Sequence, residues 1–547
     1  MTTDIASQRD RDVPTHPRAF EPWTLVLTIV LAALGAFIGI HLATELGIST
    51  HTSVVGALIA MLVGRIGVMG LGRFRDVHRQ NLAQTAISAG TFGAGNALII
   101  PLAIVWAFGE SDLIWPMFIG AAGGLLVDAW ILYRTFGSTF LSASNAWPPG
   151  VAAAEAIKAG DQGGRRAVVL VGGGVIGFVL ASFGLSASAA GVALIGNIVA
   201  LLLFGLGLLV AQYFNLLPGL ETFSLTEHYI PHGIMIGAGV VALVQAGVIL
   251  AGRRGTSRGS AAATSPTADP ADHDTVSRRE LGKGLGSGFV LFIGVAVLLA
   301  VLSGIYADMS LPALVGWVVY AAVAAFVSEL IVGLAAMHSG WFPASAITLI
   351  FMVLGLLLGF PPVPLLILVG YTAATGPAFA DMGYDLKAGW ILRKVHSRHP
   401  GYVAYERSGR KQQYYSAMVG FVVAIGMVAV LWKPYFDADK IPPIATVFAD
   451  TIKVGLTDTD AVRTMLLWAV LGAVLQVIGG ARRQMGVMLA TGLLIAAPYA
   501  GWLVIGAIVL RLVVVKLRGP RAEEDLQLVG AGIITGDAFS SLGRIIR

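Results

Sequence analysis

The chain has 547 residues, of which 56% are hydrophobic and only 12% charged, with a mean hydropathy of +0.79. A soluble domain carries about 25% charged residues, so this composition excludes the soluble globular, disordered and collagen-like classes. Cysteine is absent, which excludes disulfide scaffolds, thiolate metal sites, iron–sulfur clusters and cysteine nucleophiles. The net charge of +5 fits basic loops beside a membrane better than a nucleic-acid surface. The chain reads as a polytopic integral membrane protein.

A helix needs about 20 apolar residues to cross the hydrocarbon core. In chain order, such runs lie at 23–47, 52–71, 81–108, 113–133, 167–186, 189–215 and 230–251. They continue at 286–306, 311–333, 335–360, 362–383, 414–433, 463–480, 484–498 and 500–517, with a weaker one at 526–543. An open sheet would leave its edge groups unpaired in lipid, and alternating strands of about ten residues are not seen, so a barrel is excluded. The expected fold is an all-α polytopic membrane protein of about 16 transmembrane or re-entrant segments. It divides into a tail 1–22, a first half 23–251, a polar linker 252–284 and a second half 285–547. The polar start lacks a short apolar core with a cleavage site, so the first span is expected to direct insertion.

Loop charge sets the expected orientation. Arg73, Arg75 and Arg79, then Arg134 and Lys158, the linker, and finally the segment 387–411 are rich in Lys and Arg. These loops and the N-terminus should be cytoplasmic, in a cell (inner) membrane. Three apolar runs separate the basic stretches 134–166 and 252–284, and an odd number cannot return the chain to the same side. A further stretch must therefore cross or re-enter, with 145–160 and 216–229 as candidates.

The halves repeat. AISAGTFGA (86–94) matches AAMHSGWFPA (335–344), PPGVAAAEAIKAG (148–160) matches PPIATVFADTIKVG (442–455), and MIGAGVV (235–241) matches LVGAGII (528–534). Repeated halves with binding elements at their interface are typical of secondary transporters.

Ionisable groups at membrane depth are expensive and usually functional. Glu155 follows Pro148–Pro149 and a run of small residues, as in a half-helix whose free N–H groups face an anionic group; the bland alternative is an interfacial helix. Asp381 and Asp385 lie four apart beside Tyr371, Tyr384 and Lys387, and Gly376–Pro377 interrupt the span before them. Asp385 could equally well pair with Lys387 at a helix end. His338, beside Trp341, could carry a proton or bind a metal as neutral imidazole, or could be an ordinary interfacial residue. Glu221, Glu227, His228, Tyr229 and His232 crowd the polar stretch 216–229 and its edge, where a wet loop is the competing reading. Asn96 and Asn197, inside apolar runs, suggest hydrogen bonds between helices. The candidate pathway residues are thus Glu155, Tyr229, His232, His338, Trp341 and Tyr371, with Glu155 and Asp381 as proton carriers. No Walker loop, HExxH or GxSxG supports an enzyme, and no cofactor is expected.

Several stretches resemble the oligopeptide transporter family, which includes the yellow-stripe-like metal-chelate carriers. DLKAG (385–389), followed by RKQQ (410–413), is similar to a family DLKTG-type motif, and NAWPPGVAAAE (145–155) resembles its Pro-Ser-Gly-Thr-Ala segment. IPPIATVFADTIKVGL (441–456) resembles a Pro- and Ala-rich segment of bacterial members, and GIMIGAG (233–239) and GAGIITGDAF (530–539) also fit. The resemblance implies a proton-coupled symporter of small peptides, glutathione-like compounds or metal chelates. Its expected partners are that small-molecule substrate, a coupling proton and the lipid bilayer, with no nucleic acid; a homodimer stays open. A channel or uncoupled facilitator for a small polar solute is the alternative.

Overall fold

The computed structural model describes residues 15–47, 71–145, 147–160, 164–220, 223–242, 244–245, 274–339, 344–455, 459–495, 499–519 and 521–545. The expected span 52–71 and most of the linker 252–284 lie outside these. Among the described residues the chain is helical, with a single isolated bridge, Phe136 to Leu141. Ten helices there are long and apolar enough to cross a membrane, and three shorter apolar ones accompany them.

Helix α1 (Pro22–Leu46) has proline in its first turn, where the missing N–H costs nothing, and stops at left-handed Gly47. Next come α2 (Val77–Phe92), a π-helical segment Gly93–Leu98, α3 (Ile99–Phe108) and α4 (Ile114–Thr135). They are followed by α5 (Pro148–Gly160), α6 (Gly164–Ser182), α7 (Ala187–Ile195), α8 (Ile198–Tyr213) and α9 (Ile230–Ala242). Helix α10 (Arg278–Leu302) opens on a capping box of Ser277 and Glu280. After it come α11 (Leu311–Ser339), α12 (Ala344–Leu357), α13 (Pro362–Ala374), α14 (Pro377–Arg393) and α15 (Tyr402–Asp437). The chain ends with α16 (Pro443–Val454), α17 (Thr459–Arg483), α18 (Met485–Leu493), α19 (Ala500–Arg518) and α20 (Arg521–Ile545).

Side-chain contacts fix two opposite faces. On one, Glu21 pairs with Arg79, the Ala19 amide donates to Gln412 Oε1 at 2.9 Å, and Arg410 donates to the Phe136 carbonyl. On the other, Lys440 pairs with Glu45, Trp432 packs on Trp106 at 5.9 Å, and Lys453 donates to the Ala107 carbonyl at 2.8 Å. The basic clusters of the sequence thus gather on one face. Lipid-facing surfaces are told from the core by burial. In α13–α14 the most apolar window is 94% buried, against 22% in α17, whose Leu466 and Val470 project outward.

From α4 onward the first half is repeated upside down by the second. Helix α4 runs from the opposite face to the basic face, and α15 runs the other way. Each is followed by a short Pro-Pro helix (α5, α16), a glycine-bearing span (α6, α17), a short helix (α7, α18) and two more helices (α8–α9, α19–α20). The repeats also exchange their ends: α20 lies along α6, and α9 along α17. Gly532 and Gly536 face the carbonyls of Leu170 and Gly174, while Gly233 and Gly237 face those of Met465 and Ala469. Only glycine admits backbones this close. The packing therefore makes GIMIG (233–237), rather than MIGAGVV, the counterpart of GIITG (532–536). The stretch 86–94 lies inside α2 and the segment after it; of its match 335–344, residues 335–339 end α11, Ala344 opens α12, and 340–343 lie outside the described residues.

The parity problem is resolved inside 189–215. That apolar run is two helices, α7 descending from the face opposite the basic one and α8 returning to it, parted at Gly196–Asn197. Asn197 is thus not inside a helix: its side chain accepts from the amides of Val199 and Ala200 and caps α8. The stretch 136–160 does re-enter, but it comes back to the basic face, where Ile157 packs on Leu392 and Val77. The described part of 216–229 stays on the opposite face as a loop.

Candidate transport pathway

Two interrupted helices run side by side and antiparallel at the centre, with Ser88 facing Asp381 and Gln84 facing Asp385. In the first, the π-helical segment 93–98 separates α2 from α3; such insertions are frequent at functional sites. In the second, Thr375 is extended and Gly376 has φ +102°, a conformation that disfavours any side chain. The break frees the start of α14, and Asp128 on α4 occupies it: its Oδ2 accepts from the Gly376 amide at 2.6 Å. The other strand of the break is held by α11, where Thr375 donates to the Ala325 carbonyl at 3.3 Å and Ser328 donates to the Thr375 carbonyl at 3.5 Å. The next residue, Glu329, is completely buried, and neither of its carboxylate oxygens has a hydrogen-bond partner among the described residues. Asp128 Oδ1 is in the same condition.

Below the break, α14 carries polar groups along its whole buried length. Ser88 donates to both oxygens of Asp381, at 2.9 and 2.8 Å, and Gln84 donates to Asp385. Gln413 donates to the Asp385 carbonyl at 2.8 Å and accepts from Arg393 at 2.7 Å. Arg393 also reaches Glu406 at 3.2 Å. Lys387 donates to the carbonyls of Ala143 and Asn145 at 2.8 and 2.9 Å and lies over the Trp390 ring. The DLKAG and RKQQ stretches are thus one interlocked network joining α14 to α2, to α15 and to the re-entrant loop. That loop is pinned by Trp147, a residue at φ +40° whose ring fills the space beside Gly383 and whose amide donates to the Met337 carbonyl at 2.9 Å.

A polar cavity of about 500 Å³ opens toward the opposite face, between α1, the start of α7, the α15–α16 loop and α20. Its wall carries Glu45, Asp439 and Asp537 together with Lys440 and His41. His41 Nε2 stands 3.7 Å from Asp537 Oδ2, and Asp537 accepts from the Ser188 amide at 2.6 Å. Sequence reasoning missed His41 and Asp537. The signal for both was a lone ionisable residue in an apolar run.

The residues singled out from the sequence fall in several places. Tyr371 and Asp381 are in the central zone; Tyr371 is fully buried and donates to the Phe292 carbonyl at 3.0 Å. His232 is buried on α9, its Nε2 3.2 Å from Asp450 Oδ2, with Tyr229 edge-on to its ring at 5.4 Å. That pair belongs to the opposite face and stands apart from the central acids. Glu227 and His228 are exposed, His228 stacking on Phe223, as a wet loop requires. Helix α5 packs through Ala153 and Ala154 on Ala388. The side chains of Glu155 and His338, and Trp341 as a whole, lie outside the described residues.

Ten helices long and apolar enough to cross a membrane, two interrupted helices packed at the centre and a two-signed cavity open to one face define the class of polytopic membrane transporters. The family described as OPT oligopeptide transporter protein matches residues 176–546, and the chain belongs to this family. No curated protein matches the chain.

Proposed function

We propose that the chain is a secondary active, proton-coupled transporter of small peptides or glutathione-like compounds, with metal chelates of similar charge as the wider class. The observation that carries this reading is the cavity of about 500 Å³ with both signs of charge on its wall. Its size lies in the usual range for small-molecule sites, about 300–1,000 Å³. A zwitterion would set its carboxylate toward Lys440 and its ammonium toward Glu45 or Asp439. Alternating access is supported by the inverted repeats, which make an arrangement and its upside-down counterpart similar in energy. Asp381 and Glu155 are proposed to take part in coupling, and the basic face is proposed to be cytoplasmic in a cell (inner) membrane. The division into halves 23–251 and 285–547 belongs to the same proposal.

The test is uptake into proteoliposomes of a panel of di- and tripeptides, reduced and oxidised glutathione, and ferric chelates. Uptake of one class, driven by an inward proton gradient, is expected, and that class should also raise thermal stability as its concentration passes the dissociation constant. Glu155→Gln and Asp381→Asn should reduce accumulation while sparing exchange. Uptake that ignores both proton and sodium gradients would favour a channel and refute the coupled carrier.

A further inference from the structure

The acids at the helix break do something the rest of the polar network does not. Asp381 has Ser88, Asp385 has Gln84 and Glu406 has Arg393, so each holds a donor that can balance a negative charge. Glu329 holds none among the described residues, and Asp128 is held only by backbone amides at the start of α14, Gly376 and Phe379, with its Oδ1 unpartnered. Both are wholly buried. Helix α13 contributes Tyr371, whose hydroxyl is directed to the Phe292 carbonyl. Helix α14 contributes Asp381, just over a turn beyond Gly376. The π segment contributes Asn96, and α10 contributes the Phe292 ring near Tyr371. On α15 the ionisable groups that approach α4 are Arg410 and Tyr414, which meet its basic-face end at Phe136 and Tyr133. Among the described residues no Lys, Arg or His forms an ion pair with Asp128 or Glu329.

Two ionised carboxylates without a cationic partner, one of them with no hydrogen bond at all, would cost several kcal/mol at membrane depth even after relaxation. The cost is removed by a bound cation or by a proton. A metal cage needs more ligands than two acids, and among the described residues no three His, Cys, Asp or Glu groups gather to hold a metal. A proton needs only a second oxygen to accept it. We infer that Asp128 and Glu329 form a proton-binding site at the α13–α14 break, loaded in the closed arrangement seen here and emptied when the break opens to water. This rests on the coupled-carrier reading and adds a site to it. Loading would leave the Gly376 amide on Asp128 and close the break; losing the proton would drive the two carboxylates apart and pull α4 and α11 away from α14.

The site can be read without a known substrate. Infrared difference spectra of the full-length protein in water and deuterium oxide should show a protonated-carboxyl band at neutral pH. Glu329→Gln and Asp128→Asn should each remove the same component of it, which Asp381→Asn should spare, and Glu227→Gln, on the exposed loop, should leave the whole band intact. In proteoliposomes with reduced glutathione as probe, both break variants should lose at least about tenfold of pH-gradient-driven accumulation and keep counterflow exchange. Gel filtration and circular dichroism separate these effects from misfolding, and Glu329→Asp, which keeps the acid, should restore part of the band. A band left unchanged by both variants, or its absence from the wild type, overturns the inference. If glutathione is not transported at all, the substrate reading fails while the spectra still decide the proton site.

Discussion

The exchanged helices are held by glycines at which the structure predicts a specific cost. A Cβ built on Gly237 would lie 1.8 Å from the Ala469 carbonyl oxygen, and one on Gly536 would lie 1.9 Å from that of Gly174. Real Cβ atoms essentially never come within 3.0 Å of such a neighbour, so either helix must shift by about 1 Å, and its partner is backbone that cannot step aside. Overpacking of this kind costs about 1–3 kcal/mol, and the upper end applies here. Spread over a chain of this length, with about 2 cal/mol/K of unfolding entropy per residue, 3 kcal/mol lowers the melting temperature by about 3 °C. Gly294 on α10 is the control: nothing lies within 4 Å of its Cβ position, so Ala there should be neutral or slightly stabilising. Thermal unfolding of Gly237→Ala, Gly536→Ala and Gly294→Ala in the same detergent makes the comparison. Because the two sites are counterparts in the inverted repeats, their losses should be alike. Equal melting of all three variants would refute both the close approach and the exchange built on it.

Other expectations concern the basic face and the helix caps. His16 is buried there beside the Arg393 guanidinium; burial first, and that charge second, hold its pKa down to about 3. A histidine depressed in the folded state loses stability as pH falls below its ordinary value of about 6.5, so docking of residues 15–21 should weaken between about pH 7.5 and pH 5.5. The chain has no cysteine, so a spin label on Thr15→Cys reports this alone; its mobility should rise on acidification, and His16→Phe should reduce the pH dependence, leaving what buried His78 beside it contributes. Removing one partner of the buried Arg393–Glu406 pair should cost about 3–5 kcal/mol, so Glu406→Ala should yield much less folded protein by gel filtration than Glu406→Gln. Asn197→Ala should cost about 1 kcal/mol through the lost cap of α8, measured by thermal unfolding, whereas Asn197→Asp should keep that stability.

What the sequence made legible follows from how each feature is encoded. A span is a local property, one apolar run against one bilayer thickness, so α1, α4, α11 and α19 sit where hydropathy puts them. A break inside a run is encoded by one or two residues and is easily averaged away. The run 189–215 concealed α7 and α8 because Gly196 and Asn197 barely lower its hydropathy, although an Asn amid apolar residues is also what a helix cap requires. The run 362–383 was cut short for the opposite reason. Asp385, Lys387 and Arg393 look like a helix leaving the membrane, yet α14 keeps them buried because Gln84, Gln413, Glu406 and the carbonyls of Ala143 and Asn145 satisfy them. Those partners lie on other segments, and nothing in the local pattern names them. The same limit applies to the acids at the break. Asp128 and Glu329 are each a lone charge in an apolar run, which is signal enough to mark them, but only the fold brings both to one chain break. Gly376–Pro377 marked that break in the sequence; which carboxylate would occupy its free amide was decided by how α4 and α11 pack against α13 and α14.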